Sequence, residues 1–467
     1  MGGDRGEARA AARVVEANRA QTAWSMVNLE ADLPHDHMAR LVWDFTGTLD
    51  LGAFYDRILS REGGAGRPAA DPRVLLALWL LANIKGVGSA RAHDRLADQS
   101  LGYRWLRAEV PINYHGLADF RVQNADVLDD LLTRSLATFI AEGLATAGEI
   151  IVDGTKVKAS AAKSSFRRAG RLDEAEAAAR QRIAALKAEL DDDPAATSRR
   201  QRAARERAQR ERLDKVAKAR QTLAAIDAER AKRARHDRKE VERMKTPRAS
   251  ISDPEARRMR FADGAVRPGY NVQVAVTAGE GFITAIRATD RRQDSGLARP
   301  MLEESERRTG RKVVRVLADT GYADARDITA LGTRPEHPVE AYIWPKRERD
   351  DVKPETLVAR ERGRQRKNAT LQAWRERMAS AAAEAVMKRR GRIERVNAHL
   401  KNHGLGVMLV RGLAKVQAVA LLHALAHNLL TAIPPQRARA TLPAATLPQH
   451  KPTPCRPRIG SQAPASG

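Results

Sequence analysis

Three acidic residues stand where a chain could put them to chemical use. Asp153 closes the apolar run Ile150-Ile-Val, Asp319 closes Val316-Leu-Ala, and Glu394 sits inside the basic stretch Met387-Lys-Arg-Arg-Gly-Arg-Ile-Glu-Arg-Val-Asn-Ala-His-Leu-Lys401. Apolar runs ending in Gly-Thr or Thr-Gly read as strand ends, and the basic stretch reads as a helix. Carboxylates gathered from two strand ends and a helix would hold two hard divalent cations, Mg2+ with Mn2+ as its substitute, because such ions prefer oxygen ligands and bridge phosphates. Arg390 lies four residues before Glu394 and Lys401 seven after it, which puts all three on roughly one helix face. Arg grips a phosphate bidentately, and Lys adds a compact charge. Taken singly, Asp153 before Gly154 and Asp319 before Thr320-Gly321 would merely begin turns, and Glu394 would be a surface carboxylate paired with a base. Their order, strand-end placement and basic setting together point to a metal-dependent enzyme acting on DNA.

The elements that must position these acids follow from the change of hydrophobic period along the chain. Short β-branched or alternating runs at Glu149–Asp153, Tyr270–Val276, Phe282–Ala288 and Lys312–Ala318 predict a mixed sheet, which a strand near Ala341–Trp344 extends. Helices from about Asp294 to Arg308 and from about Ala381 to Leu400 flank it. A mixed α+β, ribonuclease-H-like catalytic domain over residues 146–433 places the first acid on the central first strand, the second after the fourth strand and the third on a later helix. Before it, residues 23–145 read as all-α: a buried helix Arg73–Ile84 begun by Asp71-Pro72, a second over Ser89–Leu96, a turn around Gly102, a segment capped near Asn113, and a long helix from Ala125 to Glu142. Short helices and turns of this kind suit a helix-turn-helix-like DNA reader.

Residues 165–248 interrupt the sheet and read as two helices, Leu172–Leu190 and Ser198–Met244, broken at Asp191-Asp-Asp-Pro194. Their narrow stripe of Ile183, Leu186 and Leu190 on one arm and Leu213, Val216, Leu223 and Ile226 on the other suffices for a helical hairpin. Residues 197–248 hold 19 Lys/Arg against 8 Asp/Glu, a net +11. Such a run is commonly a solvated face, but the sign imbalance favours an arm that contacts DNA or a second subunit.

The 467 residues carry a formal charge of +25, so double-stranded DNA is the expected partner, and an anionic membrane surface the weaker one. No apolar run is read as long enough to span a bilayer and the N-terminus lacks the layout of a signal peptide, which predicts a soluble, intracellular protein. A single cysteine, Cys455, excludes an internal disulfide and a Cys-built zinc site. The Ala/Arg-rich residues 1–22 and the Pro-rich residues 434–467 read as disordered. His423 and His427, four apart on an apolar helix, lack a third ligand, and His35 and His37 lack a Cys or acid cluster; none is assigned a metal.

The chain resembles the DDE transposases of bacterial insertion sequences, in the subgroup with a Y-R-E-K signature whose members are separated by two, three and six residues. Arg390, Glu394 and Lys401 match that spacing, while Met387 stands at the Tyr position. Asn28 to His35, Lys85 to Arg91, Tyr103 to Leu106 and Phe120-Arg121 resemble the family's helical N-terminal domain. Asp153 to Lys158, Ser252 to Met259, Gly269-Tyr-Asn-Val-Gln273, Ala318 to Tyr322 and Arg411 to Asn428 resemble landmarks of its catalytic domain. The resemblance implies Asp153, Asp319 and Glu394 as the catalytic, metal-holding triad with two Mg2+ ions. It implies phosphate contacts from Arg390, Lys401 and Lys156, terminal inverted repeats as substrate, and at least a homodimer on DNA in the bacterial cytoplasm, at the nucleoid. The alternatives are a repurposed terminal-repeat binder without catalysis and a metal-dependent nuclease without strand joining.

Overall fold

The computed structural model describes residues 26–61, 67–192, 199–234, 246–345 and 368–440; the stretches read above as disordered at 1–22 and beyond 440 lie outside them. The first part is helical: α1 Leu29–Asp32, α2 Met38–Thr48, α3 Gly52–Asp56, α4 Pro72–Ile84, α5 Ala90–Gln99, α6 Leu101–Arg107, α7 Tyr114–Gln123 and α8 Ala125–Ala141. The caps are those the sequence announces. Asp71 accepts from the Arg73 N–H with Pro72 in the first turn, Ser89 accepts from Ala92 N–H, and Asn113 from Gly116 N–H. The expected turn at Gly102 is instead the first turn of α6. Gly102 is buried because the His37 ring lies where a Cβ would sit, 2.3 Å from it.

The sheet is built on β1 (Glu149–Lys158), which continues five residues past Asp153. After it come β2 (Phe166–Arg167), the two arm helices α9 (Ala169–Asp192) and α10 (Arg199–Ala234), β3 (Ala249–Ser250), β4 (Arg257–Arg260), β5 (Val266–Thr277) and β6 (Ile283–Thr289). Then follow α11 (Ala298–Thr309), β7 (Arg315–Ala318), α12 (Ala325–Gly332), β8 (Glu340–Ile343), α13 (Ala369–Ala379), α14 (Ala381–Met387), α15 (Gly391–Leu400) and α16 (Leu413–Ala440). β1 pairs antiparallel with β5 and parallel with β7; β5 pairs antiparallel with β6, and β7 parallel with β8. The spatial order is therefore β6-β5-β1-β7-β8, with β4 alongside the first half of β5, a mixed sheet with the first strand at its centre, consistent with the expected ribonuclease-H-like arrangement. Ile150, Ile151 and Val152 are fully buried, as a strand covered on both faces requires.

The helical region and the sheet share one hydrophobic core, because α16 packs against β6 on one side and against α4, α7 and α8 on the other. Leu413–Ile433 of α16 is, by length and composition, long and apolar enough to cross a membrane, which corrects the reading that no run approaches that length; 72% of its apolar window is buried inside the fold. The helix also continues to Ala440, into the stretch read as tail. Arg308 adds a polar tie between the two parts. Its buried guanidinium pairs with Glu304 at 2.7 Å, with the Asp129 carboxylate, and donates to the Asp129 carbonyl at 2.9 Å.

The arm springs from the β2–β3 ribbon, and its buried contact is lower than the expected stripe. Leu172, Val216, Ala219, Leu223 and Ala249 form a small separate core at the base, while Ile183, Leu186, Leu213 and Ile226 are only half-buried and the side chain of Leu190 lies outside the described residues. Further out, exposed pairs such as Arg210–Glu206 and Lys215–Glu211 decorate α10.

Candidate active site

The register of the parallel pair sets the site. Val152 lies opposite Ala318, the last residue of β7, so Asp153 on β1 and Asp319 just after β7 follow from level positions on neighbouring strands. Adjacent strands are about 4.8 Å apart, which brings the two carboxylates into mutual influence. Ligands in open α/β sheets gather at such carboxyl ends of parallel strands. Asp319 accepts from the Gly321 N–H at 2.9 Å and so caps the turn Thr320–Tyr322; Asp153 accepts from the Gly154 N–H at 2.9 Å. The turn-forming and site-forming readings are both true of Asp319, whereas Asp153 begins no turn, because β1 runs on through Gly154 to Lys158.

Burial pushes the Asp153 carboxyl up to about 6, Asp319 adds to the rise, and Arg390 works against it. α15 reaches the same carboxylate from the other side, because Asn397 Nδ2 donates to Asp153 Oδ2 at 2.8 Å. Glu394 lies one turn before Asn397 on that helix. Its side chain is 60% exposed and accepts from Arg390 Nη2 at 2.7 Å, so it is paired with Arg390 rather than gathered with the aspartates. Among the described residues, no three His, Cys, Asp or Glu side chains already form a metal cage.

The basic stretch is not one continuous helix. A tight turn at Lys388–Arg390 separates α14 from α15, leaving Arg390 at the N-cap and Lys401 at the C-cap of α15, both solvent-accessible. Met387, at the position of the signature Tyr, is buried in the core. Lys156 is half-buried on the face of β1 that carries Gly154, opposite Asn271 of β5. His423 is buried in α16, and His427 Nε2 donates to the Gly281 carbonyl at 3.0 Å while its Nδ1 meets His399 Nδ1 at 3.1 Å.

Five residues of this neighbourhood were given no role by the sequence reading. Asp294 lies ahead of the helix rather than at its expected start, since α11 begins at Ala298 with Leu297 before it, and the Asp294 carboxylate meets side chains of β5. Its Oδ1 accepts from Asn271 Nδ2 at 2.7 Å and from Gln273 Nε2 at 2.8 Å. The buried Tyr322 hydroxyl donates to Gln273 Oε1, and burial followed by Asp294, Asp153 and Asp319 drives that phenol far above its usual range. Asn397 is the fifth. One signal was available: Asn271 and Gln273 alternate as fully buried amides on one face of an otherwise apolar central strand.

Residues 218–429 match the family model for the transposase DDE domain. That segment, a little under half of the chain, is similar to the catalytic domain of DDE transposases. The matched segment takes in Asn271, Gln273, Asp294, Asp319, Arg390, Glu394 and Lys401 and starts within α10, so Asp153 joins the site through the sheet register rather than through the match. The Y-R-E-K signature is no part of what the match shows. No curated protein and no solved structure matches the chain.

The donor set suits the divalent cation on which DDE transposases generally depend. Two aspartates on adjacent strands, one of them pushed up by burial and by its neighbour, are a concentration of negative charge that a hard cation offsets.

Proposed function

We propose that this protein is an active insertion-sequence transposase that binds the terminal inverted repeats of its element, cuts at the ends and joins the freed 3′ hydroxyls to target DNA. The observation that carries the proposal is the placement of Asp153 and Asp319 after level positions on neighbouring strands, beside the Arg390–Glu394 helix, in a chain whose residues 218–429 match the transposase DDE domain. Asp153, Asp319 and Glu394 would hold two Mg2+ ions, which supply an activated nucleophile and charge neutralisation at the phosphate. Asn397 fixes the orientation of Asp153. A phosphate arriving at Arg390 competes with Glu394 for the guanidinium, freeing that carboxylate to turn toward the aspartates. Lys156 and Lys401 add positive charge along the approach, and exposed Arg91 and Arg95 of α5 are positioned for DNA contacts from the helical region. Water is the nucleophile in cutting and the 3′ hydroxyl in joining. Handling two ends together calls for at least a dimer on DNA, acting in the cytoplasm at the nucleoid.

A second reading, a terminal-repeat binder that does not cut, is favoured by one observation: Glu394 is paired with Arg390 and leaves the two aspartates without the expected third acid. A third is a nuclease without joining. Incubating the protein with Mg2+ and a duplex carrying the repeats that flank its coding region, plus a target plasmid, separates the three. Cut ends joined to target support transposition, cut ends alone indicate a nuclease, and binding without cutting indicates the non-catalytic protein.

A further inference from the structure

A carboxylate outside the expected triad shares the site. Asp294 receives both amide donors, from Asn271 and Gln273, on a single oxygen, Oδ1. Its Oδ2 has no hydrogen-bond partner among the described residues and lies 3.6 Å from where a Cβ on Gly321 would be, the position that is 2.9 Å from Asp319 Oδ1. The carboxylate is thus steadied on one oxygen, with the other open.

A second observation points to a ligand. Asn271 is fully buried, and its Oδ1 has no hydrogen-bond partner. An unpaired buried carbonyl oxygen costs free energy unless something accepts its lone pairs. That oxygen lies 2.9 Å from the Cβ position of Gly154, next to Asp153, and Asp294 Oδ1 lies 2.4 Å from the same point. Glycine at 154 is what lets the two oxygens reach this spot, since a methyl group there would overlap both.

We infer that Asp294 is a fourth acid of the divalent-cation site, steadied by Asn271 and Gln273, and that with the Asn271 carbonyl oxygen it adds hard oxygen donors on the Gly154 side of Asp153 and Asp319. The inference rests on the metal-dependent reading above. The class of ligand is a hard divalent cation, Mg2+ or Mn2+, for which carboxylate and amide oxygens are the fitting donors.

The test is Mn2+ binding without DNA, by electron paramagnetic resonance of free Mn2+, on wild type, Asp153→Asn, Asp294→Asn and Gly154→Ala, each also melted in EDTA. Asp294→Asn should weaken Mn2+ binding about tenfold or more, the range for removing a supporting group from a metal site. Gly154→Ala keeps every donor yet displaces Asp294, and should weaken binding likewise; it also keeps the inference testable if Asp294→Asn fails to fold. If Asp153→Asn loses Mn2+ while folded Asp294→Asn and Gly154→Ala bind as wild type, Asp294 is a structural brace and the inference falls alone. If wild type itself binds no Mn2+, the metal-dependent reading falls with it.

Discussion

Replacing Asp153 with Asn should stabilise the metal-free protein, because the ionised carboxylate is held in a place that disfavours its charge. Its carboxyl is pushed from 3.8 to about 6 by burial and by the neighbouring Asp319. Each pKa unit corresponds to about 1.4 kcal/mol, so ionising Asp153 in the folded state costs about 3 kcal/mol at pH 8. Partial access to water and relaxation of the amide partner reduce the expected gain to about 1–2 kcal/mol, a melting-temperature rise of a few degrees at this chain length. The sign follows from linkage. A carboxyl whose folded pKa is raised binds protons more tightly in the folded state, so wild-type stability falls as pH rises from 3.8 toward 6 and then stays reduced. The advantage of Asp153→Asn should therefore be full above pH 6, shrink below it, and vanish near pH 4. The single oxygen of the substituted amide can keep the Gly154 N–H, and Asn397 keeps a bond only by turning its amide so that its unpartnered Oδ1 accepts from the new side-chain N–H. The assay is thermal unfolding in EDTA from pH 4 to pH 8, repeated with Mg2+, which should stabilise wild type more than the variant. A variant equal to or less stable than wild type at pH 8 in EDTA would refute the electrostatic argument.

Arg308→Leu should destabilise the protein by about 1–3 kcal/mol, since it removes one of the two guanidinium partners of buried Glu304, leaving only Arg287, and releases the tie to Asp129 of α8; chemical denaturation reads the loss. Replacing residues 170–247 with a short Gly/Ser linker should leave the sheet cooperative while far-ultraviolet circular dichroism loses helix. The cut must spare β2 and β3, because Ser165 bonds Ser250 at 2.8 Å across that ribbon. A molten product would show that the arm braces the core, and the folded deletion should lose paired-end complexes before single-end binding. Affinity for DNA should fall about a thousandfold between 50 and 200 mM salt if about six phosphates are contacted, measured by fluorescence titration; a flat response would contradict a polyanionic partner.

Asp319 was legible because a strand end announces itself, an apolar run and then a small flexible turn; Asp153 was legible from its apolar run, although Gly154 continues β1 instead of ending it. The caps at Asp71, Ser89 and Asn113 were legible for the same local reason. What the sequence hid depends on tertiary contact. Gly102 looks like a turn until His37 is seen to occupy its Cβ position, and Asp294 looks like a helix cap until β5 offers it two amides. The length of α16 was concealed by its buried polar residues, where a linear reading sees interruptions: His427 donates to the Gly281 carbonyl, and Asn428 both donates to and accepts from Ile283 of β6. The stripe on the arm was overestimated because periodicity marks every apolar residue alike, whereas only those near the ribbon meet a partner surface.

The measurement that bears most directly on the central claim is Mg2+-dependent cutting of an end-bearing duplex by Glu394→Gln beside wild type. Glu394 is the acid that must leave Arg390 to join Asp153 and Asp319. Loss of a catalytic acid of this kind should slow cutting by at least about a hundredfold, with end binding near wild type because Arg390 is left free for phosphate. A Glu394→Gln variant that cuts at the wild-type rate would remove Glu394 from the site and overturn the account.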